Sequence, residues 1–217
     1  MDVQRFLKGL GERKPVIMGS EHFSKFAVFL PLLKMNNEYH LLFEVRSMQL
    51  RHQPGEICFP GGKMEPDDRT AKETAMRETS EELGIPITSL SDVYPLDYVI
   101  PGFGKRIIYP YVGLIEQGTE IRPNPQEVET VFTVPLSYLQ TVEPECYKIN
   151  FKIAPEKNFP LHLIPGGKNY NWQIKQMDEY FYYYKDYVIW GLTASILKHF
   201  LDLTAKSAKE QDDRITE

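Results

Sequence analysis

Apolar runs and turn residues divide the chain into strand-like and helix-like segments. Residues 25–47 contain two apolar runs on either side of the pair Asn36–Asn37, a pattern that predicts a β-hairpin. Pro31 lies inside the first run and predicts an edge position or a bulge, because proline has no N–H to donate to a ladder. Residues 2–9 predict a short amphipathic helix.

Two longer segments have the period of a helix. Residues 69–83 carry a small or apolar residue every fourth position, which predicts one narrow packing side, and Gly84 with Pro86 ends the helix. Residues 190–203 predict a second helix with a broad apolar side. The periodic positions are Ala71, Ala75, Thr79 and Leu83 in the first helix and Trp190, Leu197, Phe200 and Leu201 in the second.

The remaining apolar runs predict further strands and one short helix. Because strands outnumber helices, and helices lie between and after them, the fold class is α+β, a mixed sandwich rather than a doubly wound sheet. With neither an internal repeat nor a linker, residues 1–204 are predicted to form one domain, followed by a polar, frayed tail at residues 205–217. The strands fall at residues 93–100, 106–116, 128–136, 146–153 and 179–189, and the short helix at residues 137–140.

Composition, net charge and cysteine spacing exclude several classes of protein. The 217 residues are 42% hydrophobic and 25% charged, which is typical of a globular protein, and the net charge of −5 argues against a general nucleic-acid binder. Cys58 and Cys146 show no metal-ligand or disulfide spacing, so a reducing compartment is expected. The chain shows no signal peptide, no membrane-spanning run and, in its final residues RITE, no peroxisomal address, so we expect a cytoplasmic protein.

Three glutamates crowd the end of the first long helix. Glu78, Glu81 and Glu82 stand at positions i, i+3 and i+4 on one side, where like charges destabilise a helix by a few tenths of a kcal/mol. The helix dipole also disfavours anions at a C-terminus. A hard divalent cation such as Mg²⁺ would compensate for both effects. The alternative is a solvated acidic face balanced by nearby basic residues, namely Arg69, Lys72 and Arg77.

Together with the glycines before the helix, these residues resemble the Nudix hydrolase box, a glycine followed by a glutamate and then by R-E-U-x-E-E-x-G-U, where U is bulky and apolar. Residues 77–85, RETSEELGI, match its second half, with Thr79 in the place of an apolar residue. The first half of the match departs from the box. Arg69 stands at the position where the box has glutamate, and Asp68, one position earlier, supplies the acid, so that one residue is inserted after it.

The segment before the box resembles the motif of the coenzyme A pyrophosphatase subgroup of this family. The motif runs L-L-T-x-R-S, two residues, L-R, three residues, G, three residues and F-P-G-G. Phe43 and Glu44 depart from its start, at the second leucine and the threonine. The matching residues are Arg46, Ser47, Leu50, Arg51, Gly55, Phe59, Pro60, Gly61 and Gly62.

The resemblance implies the Nudix α/β/α sandwich with a mixed β-sheet, and hydrolysis of the diphosphate of coenzyme A or acyl-CoA with Mg²⁺ or Mn²⁺ as cofactor. The implied products are 3′,5′-ADP and 4′-phosphopantetheine or its acyl form. The general base is open between the box and a later loop, where Glu127 is preferred over Glu129. The implied metal ligands are Glu78, Glu81, Glu82 and Glu127; the catalytic residues Arg77, Glu78, Glu82 and Glu127; and the substrate contacts Arg46, Arg51, Gly61, Gly62 and Lys63.

Two other functions remain open. One is a Nudix pyrophosphatase for ADP-ribose or another nucleoside diphosphate derivative, and the other is a non-catalytic Nudix module that binds a ligand. The second would be marked by loss of a box glutamate, and none of the three is lost. The expected partner is a small molecule, with no nucleic acid and no membrane, and a homodimer is left open.

Overall fold

A mixed β-sheet lies between helices in the structure, a computed structural model that describes residues 2–11, 13–102, 104–172 and 175–215. Within these residues the helices and strands follow the α+β pattern expected from the sequence. The helices are α1 (Val3–Gly11), α2 (Ala71–Leu83), α3 (Leu136–Thr141) and α4 (Gly191–Ile215). The strands are β1 (Ser24–Met35), β2 (Glu38–Arg46), β3 (Ile57–Cys58), β4 (Gly61–Lys63), β5 (Leu90–Pro95), β6 (Arg106–Ile115), β7 (Val128–Pro135), β8 (Glu145–Phe151), β9 (Lys175–Tyr184) and β10 (Tyr187–Trp190).

The main sheet has seven strands, in the order β3-β2-β1-β6-β5, with β4 added to β1 and β7 added to β2. The pairing of β1 with β6 is parallel, and the other pairs are antiparallel. A smaller antiparallel sheet joins β8, β9 and β10. The mixed sheet predicted from the sequence is therefore confirmed.

The hairpin of β1 and β2 turns at Asn36 and Asn37, which both have positive φ, as predicted. The edge position predicted for Pro31 is wrong, because β1 is a central strand. On one side β1 pairs with β4 through residues 26–28 and with β2 from Leu32 onward. Pro31 lies between these two ladders, so its missing N–H leaves neither of them incomplete.

Each face of the main sheet has its own hydrophobic core. On one face, α2 packs over β1 and β6 through residues such as Ala75 and Leu83. On the other face, α4 and the smaller sheet cover β1 and β2, with Leu197 and Tyr182 buried against Phe43. This two-sided arrangement is the α/β/α sandwich.

Helix α2 begins and ends at residues suited to these positions. The Thr70 hydroxyl accepts a hydrogen bond from the Glu73 N–H at the N-terminus. Gly84 ends the helix in the left-handed region, where a Cβ would collide with the Arg122 carbonyl. Thr79, which stands for an apolar residue, is fully buried, and its hydroxyl donates to the Ala75 carbonyl.

Helix α4 continues to Ile215 and so passes residue 204, where the sequence predicted the domain to end. That domain boundary stays a prediction. In the part of the chain that the structure describes, no helix combines the length and apolar character that a membrane span requires.

Candidate active site

A cavity of about 460 Å³ opens where the end of α2 meets β1, β2, β4 and the start of β7. It brings together six of the residues predicted from the sequence, although they come from four separate segments of the chain. These residues are Arg46, Gly61, Gly62, Glu78, Glu82 and Glu127.

The two glycines of β4 allow its backbone to approach the glutamates of α2. The Gly61 N–H donates to a Glu82 carboxylate oxygen at 2.7 Å, and a Cβ on Gly61 would collide with the Ala27 carbonyl. A Cβ on Gly62 would collide with the Glu78 carboxylate. Any larger side chain would therefore displace either the strand or a predicted metal ligand.

Glu82 is a buried carboxylate, with 7% of the residue exposed. Burial, together with the charges of Glu78 and Glu127, raises its pKa to about 8 against the opposing Gly61 hydrogen bond. Burial also raises the pKa of Glu78 above its ordinary value. The cavity thus concentrates negative charge where water cannot fully solvate it, which favours either protons or a cation.

Arg77 lies beside the cavity and contacts carboxylates. Its guanidinium donates to Asp68 at 3.0 and 3.1 Å, to Glu78 at 2.9 Å and to Glu81 at 3.0 Å. These hydrogen bonds hold the pKa of Asp68 well below its usual range. Asp68 also accepts from the hydroxyl of Thr74 near the start of α2, so it connects Arg77 to the first turns of this helix.

Glu127 lies in the turn that leads into β7, and the subgroup motif fixes this turn. The Ser47 N–H donates to the Glu127 carbonyl at 2.8 Å, and the Ser47 hydroxyl donates to the Pro125 carbonyl at 3.3 Å. The Glu127 side chain lines the cavity, whereas Glu129 is exposed and lies outside the cavity lining.

Glu44 is the residue that sequence reasoning missed. It is 1% exposed on β2, and its Oε1 is buried without a hydrogen-bond partner. Burial raises its pKa well above the ordinary value, Glu82 and Glu127 raise it further, and Arg46 opposes them. The only signal in the sequence was its departure from the motif, where threonine is replaced by an acidic residue.

The remaining predicted residues lie outside this cavity lining. Arg51 and Lys63 are exposed, and Glu81 has 55% of its side chain exposed while it pairs with Arg77. Their predicted roles stay predictions. Arg106, from the start of β6, lines the cavity as a second cation that the motifs did not indicate.

The donor set of the cavity fits a divalent cation. Carboxylate oxygens from Glu78, Glu82 and Glu127 are ligands that Mg²⁺ and Mn²⁺ prefer, and the buried Glu44 carboxyl interacts electrostatically with Glu82 and Glu127. As placed in the described residues, no three His, Cys, Asp or Glu side chains form a ready metal site. Glu78 and Glu81 both pair with the guanidinium of Arg77.

Comparison with known proteins places these residues in a family. The model of the NUDIX domain matches residues 24–154, more than half of the chain. This range contains both sequence motifs. It also contains every residue that lines the cavity except Leu192.

Two of the curated relatives and one of the solved structures that are similar to the chain show the extent of the likeness. A Mus musculus protein named peroxisomal coenzyme A diphosphatase NUDT7 is 39% identical over 144 residues, which cover 65% of this chain and only 58% of that relative. An uncharacterized Nudix hydrolase NudL from Photorhabdus laumondii is 33% identical over 174 residues, covering 79% of this chain and 80% of the relative. The crystal structure of a MutT/nudix family protein from Enterococcus faecalis is 15% identical, covers 62% of this chain and 51% of that chain, and has a TM-score of 0.44.

Proposed function

Because the chain belongs to the Nudix hydrolase family, we propose that it hydrolyses the diphosphate of coenzyme A or its thioesters to 3′,5′-ADP and 4′-phosphopantetheine or its acyl form. The observation that carries this proposal is that two motifs supply one cavity. Glu78 and Glu82 come from the box, and Arg46 comes from the subgroup motif before it. The name of the Mus musculus relative supports the same substrate.

Nudix hydrolases use divalent metals, and Glu78, Glu82 and Glu127 are proposed to hold Mg²⁺ or Mn²⁺ here, with Glu81 as a further ligand. When bound, the ion would neutralise the charge of the diphosphate oxygens. The Gly61 N–H keeps one Glu82 oxygen in place at the cavity wall.

Arg46 is the proposed contact for the diphosphate. It lines the cavity, and its Nε is buried without a hydrogen-bond partner, while one terminal nitrogen donates weakly to the His52 carbonyl at 3.5 Å. A guanidinium offers a planar fork to phosphate oxygens, so Arg46 is suited to bind the diphosphate. Arg51, Gly61, Gly62 and Lys63 remain the other proposed substrate contacts.

In the proposed reaction, water attacks one phosphorus of the diphosphate. A P–O bond to water forms, the bond to the bridging oxygen breaks, and the leaving phosphate departs with the bridging oxygen. Glu127 is proposed to accept the proton of the attacking water, because its carboxylate lines the cavity opposite the box glutamates. Arg77 is proposed to orient Glu78 and Glu81 through its hydrogen bonds rather than to contact the substrate.

The proposal is tested by incubating the protein with coenzyme A and Mg²⁺ or Mn²⁺ in water enriched in ¹⁸O and identifying the products by mass. We expect 3′,5′-ADP and 4′-phosphopantetheine, and the product that carries ¹⁸O identifies the phosphorus that is attacked. ADP-ribose serves as the comparison substrate under the same conditions. Faster turnover of ADP-ribose than of coenzyme A would overturn the substrate assignment.

The partner proposed is thus a small molecule, with no role for nucleic acid. The cytoplasmic location and the homodimer stay predictions of the sequence. The Mus musculus relative is named as peroxisomal, so imaging of the tagged full chain is the direct test of location.

A further inference from the structure

A second cavity, of about 450 Å³, adjoins the first and shares Arg46, Gln53 and Leu192 with it. Its walls come from β3, the segment 99–102, β9 and the start of α4. Because the two cavities have lining residues in common, a molecule with its diphosphate in the first can extend one end into the second. No motif in the sequence indicated this second cavity.

Glu179 is the unusual residue of the second cavity. It lies on β9 two residues after Met177, so both side chains lie on the face of the strand that lines the cavity. The residue is only 7% exposed, and its Oε1 is buried with no hydrogen-bond partner. A carboxylate oxygen that is buried without a hydrogen-bond donor destabilises a protein. The burial of Glu179 is therefore better explained if a bound ligand supplies the hydrogen-bond donor.

The rest of the lining indicates the chemistry of that ligand. Most walls are apolar, and the charged lining residues are two carboxylates, Glu56 and Glu179, against Arg46 at the border with the first cavity. This balance repels a phosphorylated nucleoside and suits an uncharged chain with N–H or O–H donors. The apolar side chains of the lining are Ile57, Val99, Ile100, Met177, Trp190 and Leu192.

We propose that the second cavity binds the pantetheine arm of the substrate and that the Glu179 carboxylate accepts a hydrogen bond from an amide N–H or the hydroxyl of that arm. This inference rests on the proposed function, since it assigns one half of coenzyme A to a subsite. The arm combines apolar carbons with two amides and carries no charge beyond its phosphate, which matches the lining. The nucleotide half, with its 3′-phosphate, then lies on the other side of the first cavity.

A structural role for Glu179 is the competing explanation. Its Oε1 is 3.7 Å from the position that a Cβ on Gly191 would take, and Gly191 is the first residue of α4. An anion at this end of a helix is favoured by the helix dipole. The two explanations predict opposite effects of Glu179→Gln on stability and different effects on substrates.

The test compares Glu179→Gln with the native chain on three substrates: coenzyme A, dephospho-coenzyme A, and the methyl ester of adenosine 3′-phosphate 5′-diphosphate, which lacks the arm. Because hydrogen bonds to a charged group are stronger than those to a neutral one, we expect kcat/KM to fall about tenfold for the first two substrates and to stay within about twofold for the methyl ester. The melting temperature should rise by about 2–4 °C, because an unpaired buried charge is removed.

Asp178→Asn is the matched control. Asp178 is the neighbour of Glu179 on β9, its side chain lies on the opposite face, and it pairs with Lys148 on the surface. This variant should leave all three rate constants unchanged.

Three results would overturn the subsite. An equal loss for all three substrates with a lower melting temperature would assign Glu179 to the support of α4. A loss for coenzyme A but not for dephospho-coenzyme A would assign it to the nucleotide half. Weaker calorimetric binding of 4′-phosphopantetheine by Glu179→Gln is expected, and unchanged binding would also contradict the subsite. If the native chain binds 4′-phosphopantetheine but does not cleave coenzyme A, the proposed reaction fails while the subsite stands.

Discussion

The two adjoining cavities differ in how the chain builds them. The first draws its carboxylates from one helix turn and a single later residue, and its glycines lie a short loop before that helix. The second combines four segments separated by up to about two thirds of the chain, and its sole deeply buried carboxylate lies on a strand of the smaller sheet. The glutamates proposed to hold the metal are therefore encoded mainly within one helix turn, whereas the proposed recognition of the substrate depends on long-range packing.

The largest effect is expected for Glu82→Gln, which tests whether the first cavity carries the reaction. The amide oxygen can still accept from Gly61, so the fold should survive, but the negative charge offered to a cation is lost. Because metal stabilisation of a phosphoryl transfer is worth several kcal/mol, kcat should fall by about 100-fold or more.

Glu81→Gln is the matched comparison for Glu82→Gln, since Glu81 is exposed and pairs with Arg77 outside the cavity. Its loss should be smaller, and Mg²⁺ titrations of both variants measure the difference. Native rates for Glu82→Gln at limiting Mg²⁺ would remove the first cavity from the reaction.

The next effect concerns the general base. Glu127→Gln should lower kcat by about 100-fold if Glu127 accepts the proton of water, whereas Glu129→Gln, two residues away and exposed, should be nearly neutral. The measurement is the pH dependence of kcat for both variants. In Glu127→Gln the decrease in kcat at low pH, where the general base becomes protonated, should disappear. The reverse ranking would move the base to Glu129.

A smaller effect is expected on the pH dependence of stability in the metal-free protein, because the first cavity buries carboxylates. Between the ordinary pKa of 4.5 and about 8, folded Glu82 retains a proton that the unfolded chain releases, so stability should fall as pH rises through this window. The raised pKa of Glu44 acts in the same direction. Melting temperatures measured with a chelator at pH 5.5 and 8.5 should show this decrease, which Mg²⁺ should oppose at the higher pH.

Glu82→Gln provides the internal comparison for this pH dependence, because the variant lacks one of the carboxylates whose pKa is raised, while Glu44 and Glu78 remain. Its melting temperature should fall less between the two pH values than that of the native chain. A native melting temperature that rises with pH would contradict the burial of uncompensated carboxylates in the first cavity.

The smallest effect is expected in the second cavity. Met177→Ala removes part of an apolar wall, and at about 0.8 kcal/mol per buried CH₂ it should raise KM for coenzyme A by about two- to fivefold with little change in kcat. Val188→Ala is the control, because Val188 has comparable exposure but lies outside this lining. A fall in kcat with unchanged KM for Met177→Ala would indicate that the two cavities do not divide reaction and recognition as proposed.

Much of the fold was predictable because its signals are local. The Asn36–Asn37 turn, the four-residue spacing on α2 and the stop at Gly84 each depend on neighbours within one turn or one hairpin. Pro31 was misread because its position depends on which strands flank β1, and the two ladders on that side leave a gap at this residue.

The candidate site was likewise predictable only where its signals are local in the sequence. The spacing of Glu78, Glu81 and Glu82 placed them on one side of a helix, but only Glu78 and Glu82 line the cavity, and the Glu81 side chain is 55% exposed. Glu44 was missed because a sequence does not show whether a single acidic residue in a strand is buried. Arg51 belongs to the subgroup motif yet is exposed, because loop direction is set by packing rather than by order along the chain.

By itself the sequence determined the box helix, its terminating glycine and the close approach of Gly61 and Gly62, since these follow from short-range geometry and from the absence of a Cβ. Only the tertiary structure decided which charges are buried and what surrounds them. The hydroxyl of Thr193 donates to the carbonyl of Ile57, 136 residues earlier, and this long-range contact joins two walls of the second cavity. Burial and cavity shape depend on such contacts, because they arise only when distant segments pack against one another.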